Sequence, residues 1–561
     1  MSPTTTSVTP PGALQVLGAA IAQAATDLYG QAPPGGVVFE TPRRLEHGDF
    51  STNVAFSYAK IARKPPPKIA AEIHARLTGT PGDLRELVST LEPAGGFINV
   101  RLAPAVWQPI VREIVSAGDS FGRGPKREER ISLEFGSANP TGPLVVVQGR
   151  ALSIGSTLAN AYRFAGYNVT TEWIINDAGS QMETLARSLF ARYRALWDSA
   201  FPFPEDGYPG EYVSDLAKSL NEREGDRWVN APETEWLPYF SRFGRDQLVD
   251  AQKDVARRFQ SRNDLWTSEK DLHDAGKVQA GIAALREHGH VYESEGATWA
   301  RAAALGDDKD RVIVRSDGRP TYFAADIAYH WDKFARGADR IIDILGPDHH
   351  GYIGRLAALA KAFGREGKIE VLIAQQVTLM HGNEKVSSSK RAGNIITLEE
   401  VIEEVGVDAA RFFFCMLSPE QPLTFDLDLA KKQSDENPVY YVQYGHARIA
   451  SVIRKASAGL VEAARSAPRM ARLEHPSELA LMRRLAQLGE VVESAALNHA
   501  PHRLTRYARE VAADFHQFYS ACIILIEDQE LSAARLALAL ATQQVLQNLL
   551  AILGISAPDS M

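Results

Sequence analysis

At 561 residues, with hydrophobic side chains at 45% and charged ones at 23%, the chain has the balance of an ordinary globular protein long enough for about three or four domains, which excludes wholesale disorder and a fibrous repeat. A net charge of −8 argues against a generally basic nucleic-acid coat, although a local Lys/Arg face on one domain would be enough to bind RNA. Only two cysteines occur, Cys415 and Cys522, which leaves no disulfide framework or cysteine-rich zinc site and fits a reducing cytoplasm.

The opening MSPTTTSVTPPG lacks a basic segment followed by an apolar run, and nowhere do about 18 consecutive apolar residues occur, so secretion and membrane insertion are both disfavoured. Residues 1–12, polar and Pro-rich, read as a flexible tail. Leu14, Leu17, Ile21 and Leu28 then fall at helical spacing before Gly30. A strand at 37–40, the turn-rich EHGDFSTN, the helical SYAKIARKPPPKIAAEIHARL and the closing AGGFINVRL predict an α+β module over residues 13–115.

From residue 131 the pattern changes. ISLEF reads as a short strand, SANPTGPL as a loop of helix breakers, and a helix to Gly166 leads into the strand-like NVTTEWII, a βαβ unit. IIDIL, GPDHHGY, a helix ending at Gly364 and EVLIA repeat the theme with strands apolar on both faces, so residues 125–430 are expected to form a doubly wound parallel sheet. The charged and aromatic stretch at about 180–310 reads as a helical insertion within it. Residues 437–561 show only amphipathic helices, an α-helical bundle. Ligands of doubly wound sheets sit at the carboxyl ends of strands near the switch in strand order, which makes SANPTGPL and GPDHH the candidate site loops.

Residues 134–150 place backbone N–H groups and a helix start where phosphate can bind, but such turns also occur in proteins that bind no nucleotide. In EKVSSSKRAGNIITLEEVI, three serines, Lys390 and Arg391 crowd a Gly-containing loop before an acidic amphipathic helix, a composition suited to polyphosphate. On charge alone that loop is equally a solvated basic turn; order and context decide.

Nearly the whole chain resembles the arginyl-tRNA synthetases, class I aminoacyl-tRNA synthetases with a Rossmann catalytic domain. SANPTGPL is similar to the lead-in to the family's HIGH motif, EWIINDAGSQ to the strand and turn that follow, and VSSSKRAGNIITL to its KMSKS loop. RSDGRPTYFAADIAYH, VGVDAARFFF, FDLDLAKKQSDENPVYYVQYGHARI, LGISAPDSM and HGDFSTNVAFSYAKIARKPP extend the likeness.

The resemblance implies ATP-dependent activation of L-arginine to arginyl-adenylate, followed by transfer to the terminal adenosine of an arginine tRNA. It assigns the guanidinium to Tyr322 and Asp326, with Glu269 of WTSEKDL as the second carboxylate, since a guanidinium favours planar carboxylate partners. Glu134 and Asn139 match residues that hold the α-amino end. Pro140, Thr141, Gly142, Gly346, Asp348 and His349 match ATP-binding positions. Ser389 and Lys390 stand where the family's catalytic loop meets the phosphates; Lys385, five residues upstream, reads as solvated. Magnesium carried in with ATP is the implied cation, and no protein-bound metal is expected, because the adjacent His349 and His350 lack a third spaced ligand. Tyr440, Gln443, Tyr444 and Arg448 open the region resembling the anticodon-binding domain, where aromatics can stack on unpaired bases. The resemblance also implies an N-terminal module that contacts the tRNA elbow, a monomer, and a cytoplasmic location.

The chain departs from the family at two motifs: mildly at the KMSKS counterpart, Ser387, Ser388, Ser389, Lys390 and Arg391, which loses the first Lys and the Met but keeps the Ser and the second Lys, and more sharply at the HIGH motif. Where the family has His-x-Gly-His, it reads Val145, Val146, Val147 and Gln148, losing both phosphate-contacting histidines and the glycine that admits adenine. Losing one preorganised donor costs about 100- to 1000-fold in rate, which leaves Gln148, through its amide, as the candidate replacement. It also leaves a second reading, a catalytically silent tRNA-binding or arginine-sensing paralogue.

Overall fold

The computed structural model describes residues 11–42, 45–78, 84–386, 396–466 and 468–561; the expected tail, except for its last two residues, and the loop containing Ser389 and Lys390 lie outside them. At the N-terminal end, helix α1 (Pro11–Tyr29) and helix α2 (Pro66–Thr78) pack on a four-stranded antiparallel sheet of β1 (Phe39–Glu40), β2 (Phe50–Thr52), β3 (Val88–Ala94) and β4 (Phe97–Leu102), in the order β1-β2-β4-β3. Leu17 and Ile21 of α1 and Ile69 and Ile73 of α2 are fully buried, the i, i+4 stripe each helix turns to the core. Helix α3 (Pro104–Ala117) then crosses to the C-terminal bundle, where Gln108 and Arg112 donate to the carbonyls of Leu473 and Pro468.

The central sheet is built from β5 (Arg130–Phe135), β6 (Asn168–Ile175), β7 (Leu265–Ser268), β11 (Arg340–Leu345) and β12 (Ile369–Ile373), all parallel, in the order β12-β11-β5-β6-β7. Helix α4 (Val146–Phe164) joins β5 to β6 and is buried along most of its length, since it runs between the sheet and the bundle. Gly155 lets it approach β5: a Cβ there would stand 2.1 Å from the Phe135 ring.

Residues 180–310 are not uniformly helical. Helices α5 (Ser180–Ala195), α6 (Glu211–Glu224) and α7 (Glu233–Arg258) pack around Phe190, Trp228, Trp236 and Phe240. The chain then returns to the main sheet as its edge strand β7, and β8 (Val291–Ser294), β9 (Ala297–Ala300) and β10 (Arg311–Val314) make a separate antiparallel sheet. Four residues of LWTS are too few for a strand period to show in the sequence.

Helix α8 (Tyr322–Ala335) leads into β11, and helix α9 (Tyr352–Ala362) into β12. Helix α10 (Leu398–Val405) begins in a capping box: Thr397 Oγ1 accepts from Glu400 N at 3.1 Å, and Glu400 Oε2 accepts from Thr397 N at 2.6 Å. Helix α11 (Val407–Phe414) follows, then the bundle of α12 (Pro438–Lys455), α13 (Pro476–Ala486), α14 (Leu488–Leu497), α15 (His502–Ala521) and α16 (Gln529–Leu553). Among the described helices only α16 is long and apolar enough to cross a membrane, and 78% of its apolar window is buried in the protein.

One side chain joins sheet, insertion and bundle. Arg411 of α11 is fully buried, and its guanidinium donates to Leu553 O at 2.9 Å, Phe259 O at 2.9 Å and Ser156 Oγ at 2.8 Å. Gly554, at φ +68°, leaves room for it, because a Cβ there would fall 2.6 Å from Nη2.

Candidate active site

The sheet register brings acids together. Glu134 on β5 pairs with Asp343 on β11 and with Glu172 on β6, so three carboxylates stand at one level of three adjacent strands, all buried. Helix α8 answers them with His330, Lys333 and Arg336, spaced three apart so that they share a face. Lys333 Nζ donates to Glu134 Oε2 at 2.7 Å and Asp343 Oδ1 at 2.8 Å, and Arg336 Nη2 donates to both oxygens of Glu172 at 2.9 and 2.8 Å. His330 bridges Asp326 O (Nδ1, 2.7 Å) and Asp343 Oδ2 (Nε2, 2.9 Å). Burial opposes charge on His330, Lys333 and Asp343, yet the pairing prevails: the His330 and Lys333 pKa values are raised, chiefly by Asp343, and the Asp343 carboxyl is held well below its usual range by Lys333 and His330.

Over the carboxyl ends of β5 and β11, where strand order switches, lies a cavity of about 350 Å³. Six of the residues expected at the site line it together: Glu134, Asn139, Gln148, Asp326, Gly346 and His349. Asp326 Oδ2 is buried without a hydrogen-bond partner among the described residues. Burial pushes the Asp326 carboxyl up to about 6, against the pull of His330 and Arg355. Glu269 opens a short helix directly after β7, capped by Ser268; burial, then the charges of Asp326 and Asp177, push it up to about 7. Neither Asp326 nor Glu269 forms an ion pair among the described residues, whereas nearby Asp177 is held by Arg245 and Ser268. Two buried acids without a counterion make a site with the charge and geometry for a planar cation. Tyr322 stands one turn before Asp326 at the start of α8, 66% exposed, with its phenol beside Gly179 rather than in the cavity wall.

The loop after β5 is held from the insertion. Gln252 Nε2 donates to Asn139 O at 3.1 Å and Gly142 O at 2.9 Å, and Tyr212 Oη donates to Thr141 O at 2.6 Å. Asn139 itself donates to Gln181 Oε1 at 2.8 Å and accepts from Asn176 Nδ2 at 2.9 Å. Pro140 is buried, and a Cβ on Gly142 would stand 3.3 Å from Tyr212 Oη. Across the cleft, Pro347–His349 form a 3₁₀ turn, with the His349 ring edge-on to Tyr352 at 5.1 Å. Asp348 is exposed and outside the cavity wall, and His350 Nε2 accepts from Gln375 Nε2 at 3.1 Å.

The altered motif starts α4. Gln148 Oε1 accepts from Val145 N at 2.7 Å, a cap that commits the side-chain carbonyl to the helix start, while Val147 and Gln148 both line the cavity. Val145 bridges Thr397 in antiparallel fashion, and Leu398 N donates to Leu144 O at 2.8 Å. Gly149 permits this strap, since a Cβ there would lie 2.5 Å from Leu398. Arg258 of α7 also pairs with Glu399. The helix that follows the Ser389 and Lys390 loop is thereby fastened to the cleft. Lys385 is exposed on β14 (Glu384–Lys385), paired with β13 (Val377–His381).

On α12, Tyr440 and Tyr444 stack at 6.0 Å, Tyr444 stacks on His516, and Arg448 donates to Tyr444 Oη at 2.7 Å. Gln443 is different: it is buried, and its amide donates to Asp408 Oδ2 at 2.7 Å and Ser556 O at 3.0 Å, tying α12 to α11 and the chain end. The sequence reading missed His330, Lys333, Arg336, Asp343 and Glu172. Its available signal was Asp326, His330 and Lys333 at i, i+4 and i+7 of one helix.

Three family models match the chain: "Arginyl tRNA synthetase N terminal domain" over residues 15–102, "tRNA synthetases class I (R), catalytic domain" over 237–413, and "DALR anticodon binding domain" over 442–561. The arginine–tRNA ligase of Syntrophotalea carbinolica is 45% identical over 530 residues, 93% of this chain and 94% of the relative. That of Heliobacterium modesticaldum is 44% identical over 95% of each. The Thermus thermophilus arginyl-tRNA synthetase structure superposes with a TM-score of 0.75 at 24% identity, covering 98% of this chain and 100% of that one, and the Plasmodium falciparum structure with 0.73 at 14%, covering 98% and 99%. Identity at this level over almost the full length of both relatives carries the assignment: the chain belongs to the arginyl-tRNA synthetases, class I aminoacyl-tRNA synthetases.

Proposed function

We propose that the protein attaches L-arginine to an arginine tRNA. The arginine carboxylate attacks the α-phosphate of ATP, pyrophosphate leaves, and a hydroxyl of the tRNA's terminal adenosine then displaces AMP from the arginyl-adenylate. The observation that carries this reading is the pair Asp326, in the wall of the cavity over the switch point with its Oδ2 buried and unpartnered, and Glu269 close enough to it for the two charges to repel, neither of them in an ion pair among the described residues. A guanidinium there gains charge-assisted hydrogen bonds and relieves the repulsion between them. Glu134 and Asn139 receive the α-ammonium group, and Tyr322 closes on the guanidinium end from the start of α8.

The nucleotide lies between the loop of Pro140, Thr141 and Gly142 and the turn of Gly346, Asp348 and His349. Gln148 faces its phosphates with its amide nitrogen, its carbonyl being engaged with Val145 N. Ser389 and Lys390 stabilise charge on the α-phosphate and pyrophosphate, and Mg²⁺ arrives with ATP. Catalysis is then positioning and charge neutralisation, without a covalent enzyme intermediate. Tyr440, Tyr444 and Arg448 offer the anticodon a stacking face with Gln443 supporting it from behind, and the protein works as a cytoplasmic monomer. Nothing in the matches favours a catalytically silent paralogue.

Charging of purified arginine tRNA with labelled L-arginine and ATP tests the reading. Charging that collapses in Lys390→Ala supports it. Binding of tRNA without charging, with charging gained in Val145→His/Gln148→His, would replace it with the silent paralogue.

A further inference from the structure

Of the three carboxylates level with one another on the sheet, Glu172 is closed off by Arg336 and Asp343 by Lys333 and His330, while Glu134 alone lines the cavity together with Asp343 yet keeps acceptor capacity. Glu134 Oε1 accepts from Ser137 Oγ at 2.9 Å and Oε2 from Lys333 Nζ at 2.7 Å. Each carboxylate oxygen can take about two hydrogen bonds, so acceptor capacity remains for a ligand even with the Tyr329 phenol nearby. Lys333 is no ligand contact: its side chain is 0% exposed, and its ammonium is enclosed by Glu134, Asp343 and the face of the Tyr329 ring, 4.1 Å from the centroid.

We propose that Lys333 is a positioning residue for arginine: it screens Glu134 from the adjoining Asp343 and fixes the Glu134 carboxylate where it receives the substrate's α-ammonium group. The inference rests on the arginine-activating reading above. Without the ammonium, two carboxylates on paired strands face each other in a buried setting, Asp343 keeps His330, and Glu134 keeps only neutral hydroxyls, that of Ser137 and the nearby Tyr329 phenol. Glu134 then turns away from Asp343, which removes the acceptor. The guanidinium end, on Asp326 and Glu269, is left intact.

Two ligands separate these ends: L-arginine, and 5-guanidinopentanoic acid, which lacks the α-ammonium group. In tRNA charging by the full-length protein, Lys333→Met raises the KM for arginine by about 10- to 100-fold, the worth of a charge-assisted hydrogen bond, with a smaller change in kcat. The inhibition constant of 5-guanidinopentanoic acid stays at the parent value. Lys333→Met/Asp343→Asn, which removes one charge of each sign and with it the repulsion, keeps a smaller arginine-selective loss from the missing Lys333 hydrogen bond, even if the single variant fails to fold. Equal losses for both ligands, an unchanged arginine KM, or failure of both variants to fold would each overturn the role and leave Lys333 a folding residue. A parent protein that does not bind arginine would instead remove the reading beneath it.

Discussion

Asp326 and Glu134 line one cavity in opposite surroundings. Asp326 and its neighbour Glu269 have raised pKa values and no ion pair among the described residues, whereas Glu134 and its neighbour Asp343 share a buried ammonium. A buried acid left unpaired opposes folding, and one paired on all sides is part of the frame. On the proposed reading the cleft divides its labour: the end offered to the guanidinium is left without an ion pair among the described residues, and the end offered to the α-ammonium group has its charge balanced in advance while keeping acceptor capacity. Both ends are set by α8, which carries Asp326, His330 and Lys333 on successive turns.

The largest test removes the unpaired acid. Asp326→Asn is expected to lower kcat/KM for arginine by about 100- to 1000-fold, the cost of losing one partner of a buried charge pair. The same variant melts higher than the parent at alkaline pH in the absence of ligand. With its folded pKa raised to about 6, Asp326 is relatively stabilising while protonated and becomes a penalty as pH climbs through that value. Unchanged charging would take Asp326 out of the guanidinium site.

Asp343→Asn should act in the contrary sense and cost about 3 kcal/mol in urea unfolding at neutral pH, because it breaks a buried pair. Its folded pKa lies below the ordinary carboxylate value, so its contribution is complete above that value and fades as pH falls through the depressed one. A stability equal to the parent's would dissolve the contrast between the two ends.

Lowering the pH sharpens it. If arginine binds as proposed, with Glu269 and Asp326 ionised, its KM should rise as pH drops below about 7, approaching tenfold per unit for each group protonated. Glu269→Gln should delete the upper step of the KM profile; a profile identical to the parent's would show that Glu269 does not titrate against substrate. The smallest effect belongs to Gln148→Ala, which removes the cap on α4 and should cost about 1 kcal/mol of stability, read by thermal melting. A larger loss in kcat than in stability would mark the amide nitrogen as a phosphate contact.

Much of this frame could be read from sequence, for physical reasons. ISLEF and IIDIL are continuous apolar runs because both faces of a parallel sheet are covered, and the breakers of SANPTGPL and GPDHH mark the strand ends where ligands gather. Glu134, Asn139, Gln148, Asp326, Gly346 and His349 were legible through the family resemblance, most of them on or beside those loops, and meet in one cavity. The ionic ladder was not, because Glu134 and Lys333 are 199 positions apart and only strand register brings them together. Gln443 looked like part of an aromatic, polar face, but the 3.6-residue period turns it inward, toward Asp408.

Arg411 bears on how such proteins can be rebuilt from parts. Burial alone pushes its guanidinium down to about 10, and the carbonyls that hold it belong to the last helix and to the insertion. A recombination that exchanged the helical bundle between relatives would leave that cation facing foreign carbonyls or none. The seam itself therefore travels as a unit of inheritance: Arg411, Ser156, Phe259 and the Leu553–Gly554 turn have to be exchanged together, although they are scattered over some 400 positions of the chain.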